Sequence, residues 1–324
     1  MFRKNFKKIL FLCLALGLII LTACSSKADT TFINIPTAST TGALYPFGNS
    51  LAKLWTDKVP KVKANVQASN GGIDNLNLLE KKEANVSMAV VSNVYQAYNG
   101  LEKFADRANK KIRIIAGLYY NPNQVVVTKK SNINSLADIK GKTFAPGIAG
   151  STTEEEASVH LKKAGLTYPD DIKVQYVGFT EAIDLMRNKQ TDGAWIMAGA
   201  PTSAVTEMLK TTDSKILEIP NDFIEELKKD YPWYSSYTLK ARVYEELEED
   251  VNTSAIKMVM FTDADMDEET IYQLTKTFWE NLDSLKENHS FLKDLTLANS
   301  LEDIADLPLH DGAIRYYKEQ GLIK

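Results

Sequence analysis

Cysteine and histidine are nearly absent from this chain. Two cysteines, Cys13 and Cys24, and three histidines stand among 324 residues. Nothing after Cys24 can form a disulfide, supply a thiol nucleophile or hold a metal through sulfur. His160, His289 and His310 are isolated, with no HxxxH pair and no carboxylate spacing that resembles a metal site. There is no G-x-S-x-G elbow. The catalytic inventory is therefore thin, and neither an enzyme activity nor a metal or cofactor is expected. A basic surplus is missing too: 38 Lys and Arg stand against 42 Asp and Glu. That balance gives no electrostatic footprint for nucleic acid. Beyond the first 23 residues no apolar run approaches the ~20 residues of a membrane-crossing helix.

The N-terminus carries the first positive signal. Arg3, Lys4, Lys7 and Lys8 precede an apolar run from Ile9 to Leu21, the layout of an export signal. Leu21-Thr22-Ala23-Cys24 resembles a bacterial lipoprotein cleavage box. The expected product starts at Cys24, carries lipid there, and sits on the outer face of the bacterial cell membrane. Residues 24–30 then read as a polar tether. An uncleaved anchor helix is the alternative. Losing the four signal cations takes the formal charge from −4 to −8. About 300 residues remain, 44% of the whole chain being apolar, which suffices for two cores.

Two loops match. Ser39-Thr40-Thr41 and Ser151-Thr152-Thr153 lie 112 positions apart, and the strands before them open on Thr31-Phe32 and Thr143-Phe144 at the same offset. Ile73-Asp74 and Ile183-Asp184 form a second pair. Strands are expected at 32–35, 62–68 and 86–91, alternating with helices at 42–58 and 72–82. Two more strands, 112–118 and 124–128, would be joined by a turn at Asn121-Pro122-Asn123. The pattern then restarts: strands at 142–145, 173–177 and 193–197, with helices at 151–164, 180–188 and 201–210. Gly165 reads as a C-cap. A strand at 256–261, a helix capped by Asp267 and running past Leu285, and a last helix at 312–320 complete the pattern. Alternating strands and helices predict a mainly parallel sheet. The expected fold is α/β, with two similar lobes around a cleft. Residues 31–123 and 253–324 form one lobe and 124–252 the other, with hinge crossings near 121–124 and 250–256.

The cleft suits a small anion. The first turn of a helix carries unpaired N–H groups and a partial positive charge, and hydroxyls beside it add donors. Candidate ligand contacts in one repeat are Thr40, Thr41, Gly42, Tyr45, Asn70, Gly71 and Asn75. In the other they are Gly150, Ser151, Thr152, Thr153 and Thr202. Several have a plainer reading as well. Ser151 with Glu154 has capping-box spacing, Tyr45 could be a core aromatic, Ser69 to Gly72 an ordinary turn, and Thr202 a helix-start residue. Glu154-Glu155-Glu156 and the acidic run from Glu245 to Asp250 read as solvated faces.

The chain resembles the TAXI family of solute receptors, the extracytoplasmic binding subunits of TRAP transporters. The resemblance is carried by residues 42–48, Ile73-Asp74-Asn75-Leu76, Ala116-Gly117-Leu118-Tyr119 and Leu136 to Lys142. It continues in Pro146 to Thr153, Ala198 to Thr202, and His310 to Tyr317. It implies a type II periplasmic-binding-protein fold that closes over a small carboxylate such as glutamate or a related dicarboxylate. The partner would be a TRAP membrane permease, and the protein a monomer. Carried over by motif, it marks Gly42, Tyr45, Asn75, Gly150, Ser151, Thr152 and Thr153. The chain departs from the family at Gly72, where serine is usual, at Asn93, where aspartate is, and at Asp311, where proline is. An ABC importer or sensor kinase as partner, and an extracellular enzyme on the same scaffold, are the competing readings.

Overall fold

The computed structural model describes residues 30–324. The lipoprotein box, Cys24 and most of the tether lie outside them. Phe32–Lys324 forms one compact unit.

The first half runs β1 (Thr31–Pro36), α1 (Leu44–Lys58), β2 (Val62–Gln67), α2 (Gly72–Glu80) and β3 (Val86–Val90). A helix, α3 (Val91–Asn99), continues directly from β3, and the 17-residue strand β4 (Ile112–Thr128) comes next. The same βαβαβ order then recurs as β5 (Thr143–Ala145), α4 (Thr152–Lys163), β6 (Lys173–Val174), α5 (Phe179–Arg187) and β7 (Gly193–Met197). Next come α6 (Ser203–Thr211), β8 (Ser214–Leu217), α7 (Asn221–Asp230), β9 (Tyr234–Leu239) and β10 (Val251–Asp263). The chain closes with α8 (Glu268–Glu280), α9 (Leu282–Asn288) and α10 (Asp311–Glu319).

The main sheet is mixed rather than mainly parallel, with strand order β3-β10-β4-β7-β5-β6, β9 beside β10 and β8 beside β4. Only β5–β6 and β5–β7 in this sheet pair parallel. The expectation failed because it relied on the βαβ repeats and overlooked the two long strands. β10 is antiparallel to β3, β4 and β9, and β4 is antiparallel to β7 and β8.

The expected turn at Asn121-Pro122-Asn123 does not exist, and β4 runs straight through it. Proline fixes φ in a range an extended strand tolerates and biases the residue before it the same way. Pro122 pairs with Ala255 and Asn121 with Ile256 across to β10. The two passages expected as crossings are thus neighbouring stretches of two paired strands.

Helix α1 buries Phe47, Leu51 and Trp55 at successive i, i+4 positions, the face period of an α-helix. Its Trp55 Nε1 donates to the Leu274 carbonyl of α8 at 3.1 Å. The helix begun at Asp267, whose side chain accepts from Thr270 N–H, was expected to pass Leu285 but breaks at Asn281. There the Asn281 amide donates back to the Thr277 carbonyl at 2.8 Å, and its oxygen takes Lys58 Nζ at 2.5 Å. Asparagine competes in this way with the helical ladder.

Candidate functional site

Four helix N-termini converge on one cavity of about 70 Å³. Gly42 to Leu44 bring the start of α1, Gly71 and Gly72 that of α2, Ser151 to Thr153 that of α4, and Gly178 and Phe179 that of α5. The βα turns of both repeats end here: β1 and β2, a separate two-stranded sheet, and β5 and β6 of the main sheet each deliver the chain to this cavity before it enters a helix. Among the described lining residues none carries a charge, an imidazole or a thiol. Apolar groups such as Val90, Ile148, Val177, Met197 and Met258 make up much of the wall. The fields of the helix termini are therefore the main electrostatic feature of the cavity.

Of the expected contacts, Gly42, Asn70, Gly71, Ser151, Thr152 and Thr153 line the cavity. At α4 the Thr152 and Thr153 N–H groups are the first two of the helix and lack intrahelical acceptors. Ser151 does cap the helix, its Oγ accepting from Glu154 N–H at 3.2 Å. The Thr152 hydroxyl is already committed: it donates to Asn93 Oδ1 at 2.7 Å and accepts from Ile73 N–H at 3.2 Å. Those bonds tie α4 to α3 and α2.

The other candidates lie outside the lining. Gly150 sits on the surface beside it, and its N–H goes to Glu154 Oε2 at 3.2 Å. Its φ of +79° is a left-handed conformation that suits glycine. Thr40 is exposed. The Thr41 carbonyl accepts from Thr202 Oγ1, Ser203 Oγ and Ala204 N–H at 3.0, 2.9 and 3.1 Å, pinning the start of α6 to the loop before α1. Tyr45 is half-buried away from the cavity. Asn75 is fully buried beneath it, donating to the Thr37 and Met88 carbonyls at 2.8 and 2.9 Å and accepting from Ser69 Oγ. It positions the Ser69 to Gly72 turn.

Gly72, the departure from the serine of the resembled family, is explained by packing. A Cβ there would meet the Ala89 Cβ at 2.8 Å and Thr152 Oγ1 at 3.1 Å. The close approach of α2 to β3, with the Thr152 hydroxyl of α4 alongside, requires glycine.

Sequence reasoning missed two lining residues on β4. Tyr119 and Asn121 are 5% and 6% exposed, and the Tyr119 hydroxyl and Asn121 Oδ1 have no hydrogen-bond partner. Burial also holds the Tyr119 phenol well above its ordinary range. Two unpartnered polar atoms on one wall of a cavity call for a complementary occupant. The available signal was weak: both lie in a strand, but Tyr119 falls just past the expected strand at 112–118 and Asn121 within the expected turn.

The Glu154-Glu155-Glu156 run is not a solvated face throughout, as expected. Glu156 is 3% exposed and lies on the inner face of α4 with Ala157, His160 and Leu161. Its carboxyl accepts from Asn123 Nδ2 and Tyr234 Oη at 3.1 and 3.0 Å. Burial pushes its pKa up to about 8. His160, one helical turn on, is pushed down to about 4 by burial. Its Nδ1 lies 2.8 Å from the Glu156 carbonyl and its Nε2 2.7 Å from Ser254 Oγ, which also accepts from Asn123. That network assigns a neutral ring protonated on Nδ1. Asn123 Oδ1 takes Trp195 Nε1 at 2.8 Å. The network joins α4 to β4, β7, β9 and β10 at the middle of the long strands.

The fold is that of the periplasmic solute-binding proteins. The chain belongs to the NMT1-like family, whose model matches residues 35–321. Among solved structures it resembles a protein from Bordetella bronchiseptica, with 14% identity over 90% of this chain and 98% of that one, at a TM-score of 0.57. It also resembles an ancestral arginine-binding protein bound to arginine, with 16% identity over 80% and 97% of the two chains and a TM-score of 0.51. The alkanesulfonate-binding protein of Xanthomonas axonopodis pv. citri, bound to MOPS, matches with 15% identity over 92% and 96%, at 0.48. No helix among the described residues is long and apolar enough to cross a membrane.

Proposed function

We propose that this protein is an extracytoplasmic solute receptor that closes around a small carboxylate and hands it to a membrane permease. The observation that supports this most is the convergence of four helix N-termini on a cavity whose lining has no charged side chain. An anion there gains from the dipoles and from free N–H groups at Thr152 and Thr153, with no fixed cation needed. Glutamate and dicarboxylates, which the resemblance to TAXI receptors favours, bring further charges that the lining does not match. A compact monocarboxylate fits it better. Its body would lie against the apolar wall, with a donor facing Asn121 Oδ1.

On this reading residues 31–123 with 253–324, and 124–252, are the two lobes, and β4 and β10 carry the hinge. The permease is of the TRAP type and the receptor is held to the membrane through lipid on Cys24. An ABC importer or sensor would use the same scaffold with another partner. Calorimetric titration with monocarboxylates, glutamate, dicarboxylates and the corresponding amides tests the ligand class. Acids should bind and their neutral amides should bind at least about tenfold more weakly. Equal affinity for acid and amide would sink the anion reading.

A further inference from the structure

A second cavity, of about 200 Å³, shares no lining residue with the first. Ser92 and Gln96 of α3 form one side, and Glu155 and Glu156 of α4 another. Tyr231, Trp233 and Tyr234, between the end of α7 and the start of β9, form an aromatic wall, and Leu101, Glu102 and Val159 complete it. We propose that this cavity binds a primary alkylammonium ion, with the ammonium among Ser92, Gln96 and Glu155 and the alkyl chain against the aromatic rings.

The polar atoms that lack partners here point to a donor. Ser92 is 2% and Gln96 6% exposed, yet neither Ser92 Oγ nor Gln96 Oε1 has a hydrogen-bond partner. Gln96 Oε1 can only accept. Glu155 Oε2 accepts from Asn93 Nδ2 at 2.6 Å, and the Gln96 side-chain amide also faces its carboxyl. An ammonium head presents three N–H donors and no acceptor, which matches these three groups.

The charge points the same way. Among the described residues no lysine or arginine forms an ion pair with Glu155 or Glu156. The nearby cations are spent elsewhere: Lys103 pairs with Glu154 at 3.5 Å and Lys163 with Asp230 at 2.9 Å. His160, 4.0 Å from Glu156, is held neutral. Buried carboxylates normally have a partner or take up a proton. Burial raises the pKa of both, that of Glu156 to about 8; at Glu155, Lys103 and the Asn93 and Gln96 side chains oppose it and Glu102 adds repulsion. A bound cation would supply the missing partner.

The walls select the kind of cation. Trp233 lies 5.7 Å from Tyr231 and 6.3 Å from Tyr95 between ring centroids, and Tyr231 lies 6.1 Å from Tyr234. Aromatic faces attract organic cations and cover alkyl chains. No group of three or more His, Cys, Asp or Glu that could hold a metal occurs among the described residues.

The test is calorimetric titration of the full chain with n-propylammonium chloride at pH 7, against sodium chloride at equal ionic strength. Tetramethylammonium, which has no N–H, is the second probe. Saturable binding of propylammonium is expected, with tetramethylammonium at least about tenfold weaker because it makes no hydrogen bonds. Glu155→Gln and Trp233→Ala should each weaken binding about tenfold or more. Melting temperature checks that both variants fold, and Trp233→Phe, which keeps an aromatic face, should restore most of the affinity. No saturable heat with propylammonium would overturn the proposal. So would equal affinity for the two probes, or unchanged affinity in folded Glu155→Gln and Trp233→Ala proteins. The result does not depend on the carboxylate reading, since neither probe is an anion and the two cavities share no lining residue.

Discussion

Replacing Thr152 with valine tests how the cleft is held shut. Valine keeps the shape of the side chain and removes its hydroxyl. Two hydrogen bonds go with it: the one to Asn93 Oδ1 at 2.7 Å and the one from Ile73 N–H at 3.2 Å. Neutral hydrogen bonds contribute about 0.5–1.5 kcal/mol each, so the pair is worth about 1–3 kcal/mol. If they form only in the closed receptor, their loss shifts closure and not folding. Affinity for the carboxylate found by screening should then fall about five- to 150-fold, while the melting temperature changes little. Thr152→Ser keeps the hydroxyl and should keep most of the affinity. A double-mutant cycle with Asn93→Ala separates a latch from direct ligand contact. A latch makes the two effects non-additive, whereas a hydroxyl that touched the ligand would make them add. Parent-like binding by Thr152→Val, or additive losses in the cycle, would refute the reasoning.

Tyr119→Phe removes a hydroxyl that has no partner, so the ligand-free protein should melt higher; a lower melting temperature would show that the hydroxyl is satisfied. Glu156 and His160 together set a pH profile for stability. With Glu156 near 8 in the folded chain and 4.5 as its ordinary value, its contribution is full below about 4.5 and is lost as pH rises through 8. His160, near 4 against 6.5, contributes stability that grows as pH rises from 4 to 6.5. The two slopes oppose one another up to about pH 6.5, and above it stability should decline until about pH 8. Denaturant melts of Glu156→Gln should lack that decline. Cys24→Ala should abolish lipid modification and release the protein from membranes; retained lipid in that variant would remove the lipoprotein reading.

The repeated order of the fold was legible because each repeat announces itself locally. Apolar strands, a Ser/Thr loop and a helix with a regular inner face recur at nearly constant offset. The segments after each repeat were harder to read. Helix α3 continues directly from β3, and its apolar start, Val91, was taken into the strand. Helix α7 buries only Ile224 and Leu227 among ten residues, so its inner face left little periodic signal. The site was half legible. Helix starts could be placed from sequence, and six of the twelve candidates line the cavity. The side-chain roles could not, since they depend on which loops meet. Asn75 and the Thr41 carbonyl serve the protein and not the cavity, and their partners come from as far as 162 residues away. Glu156 and His160 carried a usable signal that was overlooked: their i, i+4 spacing places both on the face that holds Ala157 and Leu161.

On the proposed two-lobe reading, the contacts between the lobes and the atoms left unpartnered in the cavity have opposite effects on the empty receptor. Thr41 holds α6 through three hydrogen bonds and Thr152 adds two more. At about 0.5–1.5 kcal/mol each, these five favour closure by several kcal/mol even without ligand. Against them stand the Tyr119 hydroxyl and Asn121 Oδ1, unpartnered in the closed cavity. A buried group without a partner costs about 1–3 kcal/mol, and opening the cleft would return both to water. The two sums are of similar size, so on that reading the empty receptor is expected near balance between open and closed. A ligand that satisfies Tyr119 and Asn121 removes the opposing part and leaves the latches unopposed. It need not touch a charged side chain to drive closure. It must carry a hydrogen-bond donor on the face that meets β4, together with the anionic group that the helix N-termini favour.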